Sequence, residues 1–279
     1  MTQQIILTVL CENSVAGPFG LIGEHGWAVH VDMFDRSLLF DTGQGLGIIP
    51  NSSVLGVDLA TLDAIILSHG HYDHTSGLPA VLGRCGEIDI YAHDDCFVDR
   101  YWIKDNDSRE IGIRYKRSYL ESLGGHFIFN KEFTEIFDKV YLTGEVPRIT
   151  SFEPVDPHMK STNPAGDLCQ DALLDDQSLV IDTDKGLVIL LGCAHAGLIN
   201  ILTHVAEHLP GRPIHTVVGG THLGFAEADQ FEQTMKALDA FSIKRLGAGH
   251  CTGLENASRL FHHLGDTYFF SAVGTRIEC

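Results

Sequence analysis

The segment at positions 68–74, SHGHYDH, places three histidines and one aspartate within six residues. Imidazole and carboxylate groups together suit zinc, manganese or iron in proteins. Four such side chains lie too close together in the chain to share one ion comfortably. The spacing therefore favours two ions, with His69 and His71 on one and Asp73 and His74 on the other.

The elements around this segment predict where these side chains lie. An apolar run at residues 64–67 is typical of a buried strand, and a helix is predicted from about residue 77. In the second half of the chain, three apolar strands end in glycine and are followed by His195, His222 and His250. Functional groups gather at the carboxyl ends of strands in layered α/β folds. The pattern therefore predicts one site shared by all these histidines.

Asp41 also follows a predicted strand, the second strand of a hairpin near residues 27–40. If this strand lies beside the one at 64–67, Asp41 can orient a ligand histidine from behind. The alternative is that Asp41 only caps a turn, and both interpretations stay open at this point.

Basic residues are concentrated in one part of an otherwise acidic chain. Six of the 19 lysines and arginines lie between positions 100 and 117: Arg100, Lys104, Arg109, Arg114, Lys116 and Arg117. This stretch is either an anion-binding lid over the site or the solvated basic face of a helix. Residues 95–135 are predicted to be less regular than the rest, 153–176 to be a long loop, and 267–273 to be the last strand.

Composition limits the class of protein. The 279 residues are 44% hydrophobic, which suits a globular chain with a sizeable core. The net charge of −18 argues against nonspecific nucleic-acid binding. No apolar run approaches the roughly 18 residues of a membrane helix, and the apolar run near the N-terminus has no basic flank. Seven cysteines without a CxxC pair favour reduced thiols and a cytoplasmic location.

The segment 69–74 resembles the His-x-His-x-Asp-His signature of the metallo-β-lactamase superfamily. Stretches at 24–26, 40–44, 143–148, 192–195 and 249–253 look like its branch of dihydropterin-methyl-ribofuranosyl-aminobenzene-phosphate synthases, most of which are known only as metal-dependent hydrolases. The resemblance implies one domain over residues 1–279, with two pseudo-equivalent halves at about 1–138 and 139–279. It also implies a four-layer αβ/βα sandwich, two mixed sheets packed face to face with helices outside, and a dinuclear site at one edge of the sheets.

The resemblance carries five metal ligands over to this chain, namely His69, His71, Asp73, His74 and His250. Many members have a further histidine and then a bridging aspartate at the end of a strand in the second half. Here that strand end reads GCAH at 192–195. His195 is therefore either a ligand of the first metal or the bridge, with Cys193 as the other candidate bridge and Glu145 as a further candidate ligand.

The resemblance implies a hydrolase that uses two divalent ions to activate water, zinc first, with manganese, iron or magnesium as alternatives. Asp73 is expected to orient the attacking hydroxide, and His222 to donate a proton or to stabilise developing charge on the oxyanion. We expect His195 to coordinate metal and His222 not to. His25 and Arg114 are expected to contact the substrate, an anionic, phosphate-containing small molecule.

Two other functions remain as alternatives. A pterin-transferring synthase would hold a diphosphate leaving group on the metals while an amine or carbon attacks the pterin methylene. A diiron redox protein would need a partner flavin domain and an extra carboxylate for an iron bridge, and neither is recognisable in the sequence. No membrane or nucleic-acid partner is expected, and self-association into a homo-oligomer is left open.

Overall fold

The computed structural model describes residues 5–17, 20–33 and 35–279, and two seven-stranded mixed sheets form its centre. In spatial order the first sheet contains β18 (Arg276–Glu278), β1 (Ile6–Cys11), β2 (Ala28–Met33), β3 (Arg36–Phe40), β4 (Ala64–Ile66), β5 (Ile88–Ala92) and β8 (Gly125–Phe129). The second contains β17 (Tyr268–Phe270), β16 (Arg245–Gly249), β15 (Ile214–Gly220), β14 (Gly186–Leu191), β13 (Leu179–Thr183), β10 (Val140–Leu142) and β9 (Thr134–Phe137).

Helices cover the outer faces of both sheets. They are α1 (Ile48–Leu55), α3 (Leu78–Cys85), α4 (Arg117–Ser122), α5 (Leu198–His208), α6 (Ala228–Leu238) and α7 (Leu254–Leu264), whereas the short helix α2 (Tyr72–Thr75) contains Asp73 and His74. One buried cluster joins the inner faces of the sheets, for example Phe40 of β3 with Val218 of β15. Two further clusters join the first sheet to α1, α3 and α4, and the second sheet to α5, α6 and α7. The predicted four-layer sandwich is therefore confirmed.

The strand directions explain why the functional side chains meet. β3 and β4 run parallel, with Phe40 opposite Ile66, and β14, β15 and β16 also run parallel to one another. All six residues of β14 are buried, as expected for a parallel strand covered on both faces. The carboxyl ends within each parallel group consequently lie at the same edge of their sheet.

A smaller four-stranded sheet was not predicted from the sequence. It contains β12 (Leu168–Gln170), β11 (Met159–Thr162), β6 (Arg100–Lys104) and β7 (Asp107–Glu110), all paired antiparallel. Every residue of β7 and β12 is exposed, so neither strand carries the alternating apolar pattern that marks a half-buried strand. The predicted loop at 153–176 thus holds two strands.

The basic stretch at 100–117 is not one face of a helix. Arg100 and Lys104 lie on β6, Arg109 lies on β7, and only Arg117 lies within a helix, α4. The predicted last strand at 267–273 is also divided. β17 pairs with β16 in the second sheet, while β18 pairs with β1 in the first.

The two sheets draw mainly on the two halves of the chain, with β18 and β9 as the exceptions. The assignment of a single domain with halves at 1–138 and 139–279 stays a prediction. Among the described residues, no helix combines the length and the apolar character needed to span a bilayer.

Candidate metal centre

Five strands from the two sheets end beside one another and are each followed by a polar side chain. The pairs are β3 with Asp41, β4 with His69, β14 with Cys193 and His195, β15 with His222, and β16 with His250. Asp41, His222 and His250 have φ angles of 58°, 54° and 52°, and so does Ala194 at 56°. Such left-handed conformations are uncommon for residues other than glycine and cluster at functional sites.

Gly192 allows the two sheets to approach each other at this edge. A Cβ atom at this position would lie 2.2 Å from Oγ of Ser68 and 3.3 Å from Nδ1 of His69. Any side chain would therefore push the end of β14 away from the histidine segment. The glycine before Cys193 is required by this close approach.

His69, His71 and His195 form the first group of candidate ligands, with ring nitrogens within 4.8 Å of one another. Nε2 of His69 lies 2.9 Å from Nδ1 of His71. Burial holds the pKa of each histidine well below its usual range, helped by neighbouring imidazoles at His69 and His195 and by the Arg100 charge at His71. The rings are therefore neutral and keep lone pairs, and Nε2 of His195 is buried without a hydrogen-bond partner.

Asp73, His74 and His250 form the second group. Nε2 of His250 lies 3.3 Å from Oδ2 of Asp73, and Nε2 of His74 lies 3.2 Å from Nε2 of His250. Burial opposes ionisation of Asp73, but His74, His25 and His250 hold its pKa well below the usual range. The group therefore combines one carboxylate with two imidazoles, a donor set that suits a divalent transition metal.

Asp41 lies behind His74. Its Oδ2 accepts a hydrogen bond of 2.7 Å from Nδ1 of His74, and its Oδ1 accepts one of 2.7 Å from the amide of Ser68. Burial lowers the pKa of His74, yet Asp41 and Asp73 outweigh burial and raise it. Asp41 therefore does more than cap a turn. Its carboxylate fixes the orientation of the His74 ring, and Nε2 of that ring points towards His250.

Two positioning residues were missed by the sequence analysis. Oδ1 of Asn13 lies 3.1 Å from Nδ1 of His250, and its Nδ2 lies 3.3 Å from Nδ1 of His25. Glu12 accepts a hydrogen bond of 2.6 Å from the amide of His250. Both directly follow β1, which runs in the same direction as β3. Asp41 was identified because it follows the end of a predicted strand. The same reasoning applied to β1 would have identified Glu12 and Asn13.

The structure brings His25 and His222 to the same edge. Nε2 of His25, which is half exposed, lies 3.2 Å from Oδ2 of Asp73. The ring of His222 lies 4.4 Å from that of His195, centre to centre, and neither of its nitrogens has a hydrogen-bond partner. His222 belongs to neither ligand group.

Two expected site residues lie elsewhere. Oε1 of Glu145, a candidate ligand, is 3.2 Å from Nε2 of His93 and 3.9 Å from Nζ of Lys131, and Glu145 belongs to neither ligand group. Arg114 does not line the cavity over the site. Its guanidinium carbon lies 4.6 Å from the ring centre of Tyr72, which does.

A cavity of about 740 Å³ opens over the two ligand groups. Its lining includes His71, Asp73, His195, His222 and His250. The four-stranded sheet contributes Trp102, Lys104, Arg109 and Met159. The lysine and arginine of this lining are Lys104 and Arg109, so the cavity combines two cations with candidate metal ligands.

Comparisons with known proteins agree with this geometry. The family model described as the metallo-beta-lactamase superfamily matches residues 28–170. The 7,8-dihydropterin-6-methyl-4-(beta-D-ribofuranosyl)-aminobenzene-5'-phosphate synthase of Methanocaldococcus jannaschii is 29% identical over 83% of this chain and 82% of its own length. Uncharacterized protein MJ0448 of the same organism is 28% identical over 91% of this chain and 93% of its own. The crystal structure of Tm1679, described as a metal-dependent hydrolase of the beta-lactamase superfamily, matches with a TM-score of 0.84, 28% identity and 99% coverage of both chains.

Proposed function

Because the chain belongs to the metallo-β-lactamase superfamily, we propose that it is a metal-dependent hydrolase of an anionic small molecule containing a phosphate ester. One observation carries the proposal. Members of both groups of buried candidate ligands line a cavity, namely His71, His195, Asp73 and His250, and Lys104 and Arg109 line the same cavity from the four-stranded sheet.

The two groups divide the ligands between two ions. His69, His71 and His195 would hold one ion, and Asp73, His74 and His250 would hold the other. Bound divalent ions supply Lewis acidity, which polarises a phosphoryl oxygen and lowers the pKa of water. Zinc fits this mixture of imidazoles and a carboxylate best.

The cations support the choice of an anionic substrate. Nη2 of Arg109 forms an ion pair of 2.8 Å with Oδ2 of Asp107, and the guanidinium carbon lies 5.9 Å from the ring centre of Trp102. Lys104 lies on the neighbouring strand of the same hairpin. Charge-assisted hydrogen bonds from these groups suit phosphate oxygens. Lys104 and Arg109, and not Arg114 as expected from the sequence, are therefore proposed to bind the anionic substrate.

Three residues act on the reacting groups. Asp73 stays ionised and its carboxylate orients the attacking water. His25 donates from Nε2 to Oδ2 of Asp73 and, half exposed at the cavity, contacts the substrate. His222 has two ring nitrogens without partners, so it can pass a proton to the leaving group.

The test compares substrate classes. Chelator-treated protein is reloaded with zinc and incubated with bis(4-nitrophenyl) phosphate, 4-nitrophenyl phosphate and a chromogenic β-lactam. We expect zinc-dependent hydrolysis of a phosphate ester and none of the lactam. His71→Ala should lose this activity, and His262→Ala, an exposed histidine of α7, should keep it. Zinc-loaded protein that hydrolyses neither phosphate ester would overturn the proposal.

A second candidate is the pterin-transferring synthase. It is favoured by the 29% identity to the Methanocaldococcus jannaschii synthase over most of both chains. Incubation with a pterin methyl diphosphate and an arylamine separates the two functions. Formation of a carbon–carbon or carbon–nitrogen bond to the pterin methylene would favour the synthase, while hydrolysis of phosphodiesters alone would exclude it.

A further inference from the structure

Cys193 lies between the two groups of candidate ligands. Its thiol is 3% exposed and its Sγ is 3.2 Å from Nε2 of His74. Sγ also lies within 4.8 Å of a ring nitrogen of His69 and of one of His250. The sulfur therefore lies near ligands proposed for both ions.

The two imidazoles beside this sulfur, those of His74 and His250, already donate their Nδ1 hydrogens to other residues. The hydrogen on Nδ1 of His74 is donated to Asp41 over 2.7 Å, and that on Nδ1 of His250 to Oδ1 of Asn13 over 3.1 Å. With Nδ1 engaged by Asp41 and by Asn13, both rings turn Nε2, the atom that can bind a metal, inwards. The two Nε2 atoms face each other at 3.2 Å.

Four acceptor atoms thus converge on one point. Oδ2 of Asp73 lies 3.3 Å from Nε2 of His250, and Sγ of Cys193 lies 3.2 Å from Nε2 of His74. Ligands about 2.0–2.3 Å from one ion stand roughly 3.3–3.8 Å apart at tetrahedral angles. The thiol hydrogen of Cys193 can be donated to only one of the other three atoms, whereas a cation among them contacts all four.

We propose, as an extension of the hydrolase proposal, that the thiolate of Cys193 is the ligand shared by the two metal ions. A thiol binds a metal ion as the thiolate, so metal uptake releases one proton from Cys193 to the solvent. A sulfur ligand at this point favours Zn²⁺, Co²⁺ or Fe²⁺ over Mg²⁺ and Mn²⁺, because soft ligands prefer softer ions.

Cys251 is the neighbouring thiol. Its Sγ also lies within 4.8 Å of Sγ of Cys193 and of a ring nitrogen of His250, but it is not grouped with His69 as Cys193 is. Its Sγ accepts a hydrogen bond of 3.2 Å from the amide of His222 and lies 3.5 Å from the carbonyl oxygen of Cys193. These contacts position the loop after β16 beside the end of β14. Cys251 is therefore assigned a positioning role, and the shared sulfur is that of Cys193 alone.

The test uses cobalt as a spectroscopic substitute for the native metal. Chelated protein is titrated with Co²⁺, bound cobalt is counted by elemental analysis, and the near-ultraviolet thiolate-to-cobalt charge-transfer band is recorded. Wild-type protein and Cys169→Ser, which alters an exposed thiol on β12, should both show the band. Cys251→Ser should keep it.

Two substitutions at position 193 distinguish loss of the thiolate ligand from loss of the fold. Cys193→Asp offers a carboxylate of similar size, so it should bind as much cobalt as wild type, without the band and with a Mn²⁺ preference raised at least about tenfold. Cys193→Ala should bind less cobalt. A band that persists in Cys193→Asp, or that disappears in Cys251→Ser, would overturn the assignment.

The same samples separate this inference from the hydrolase proposal. A cobalt–thiolate band that depends on Cys193, in protein that hydrolyses no phosphate ester, would support the shared thiolate and count against the hydrolase. Phosphate-ester hydrolysis by wild-type protein without such a band would support the hydrolase and overturn the shared thiolate.

Discussion

Nδ1 of His74 donates a hydrogen bond of 2.7 Å to Oδ2 of Asp41, and both side chains are completely buried. The same carboxylate accepts hydrogen bonds from the amide and the hydroxyl of Ser68, each 2.7 Å long. Three donors therefore surround one carboxylate directly behind the candidate metal centre.

Asp41→Asn should weaken metal binding while the fold is kept. An amide has one oxygen to accept hydrogen bonds, and its NH₂ group would face a donor. His74 would then lose its fixed tautomer, and loss of such a partner typically costs about 10–100-fold in metal affinity. Competition with a chromophoric chelator measures this affinity. An unchanged affinity would return Asp41 to a structural role.

Arg100→Met should strongly destabilise the protein. Arg100 is 1% exposed and forms ion pairs of 2.7 Å with Asp171 and 2.8 Å with Asp175. Removing the cation leaves two buried carboxylates unpaired, which typically costs about 3–5 kcal/mol of the free energy of unfolding. Urea denaturation measures the loss.

Arg109→Met is the matched control for Arg100, because its ion pair with Asp107 is exposed. We expect little change in its denaturation midpoint. Equal midpoints for the two variants would show that the buried ion pairs of Arg100 do not stabilise the fold.

His222→Ala should keep both metals and lose rate. The ring lies outside both ligand groups, yet lines the cavity beside His195. A general acid typically contributes about 10²–10⁴-fold to the rate, so kcat should fall by that order. His195→Ala, in contrast, should lower metal occupancy. Loss of one metal equivalent from His222→Ala would reverse the roles assigned to these two histidines.

The stability of the metal-free protein should fall as the pH is lowered, and His30 on β2 should contribute. Burial lowers the pKa of His30, whose Nε2 lies 2.8 Å from Oγ of Ser37. The folded state then binds fewer protons than the unfolded state, so stability is lost as the pH falls through about 6.5.

His30→Gln keeps a polar group opposite Ser37 but does not titrate. Its free energy of unfolding should fall less than that of wild type between about pH 7.5 and about pH 5.5, because the other histidines are common to both proteins. Equal losses in the two proteins would exclude a contribution from His30.

The sequence was sufficient for the parts of the site that depend on local order. The ligand types at 69–74, the strand before them and the glycine–histidine pattern after β14, β15 and β16 predicted six candidate ligands, and the structure brings these six side chains together where strands of the two sheets end. This worked because parallel strands bring their carboxyl ends together whatever their separation in the chain.

The remaining features depend on contacts between distant segments. Asn13 meets His250 across 237 positions of the chain, and Met159 pairs with Trp102 in the small sheet. The exposed strands β7 and β12 carry no apolar alternation, because backbone pairing with β6 and β11 forms them and no side chain of either strand is buried. The position of Cys193 relative to both ligand groups likewise depends on the close approach allowed by Gly192.

The central claim is that hydrolysis depends on metal ions held by these side chains. Zinc content and phosphodiester hydrolysis should therefore be measured in the same samples during reloading of chelated wild-type protein and His71→Ala. We predict that wild-type activity rises with bound zinc up to about two ions per chain. His71→Ala should bind about one ion fewer and lose nearly all activity. Full zinc content in His71→Ala, or hydrolysis by the metal-free wild type at the rate of the loaded protein, would contradict the account.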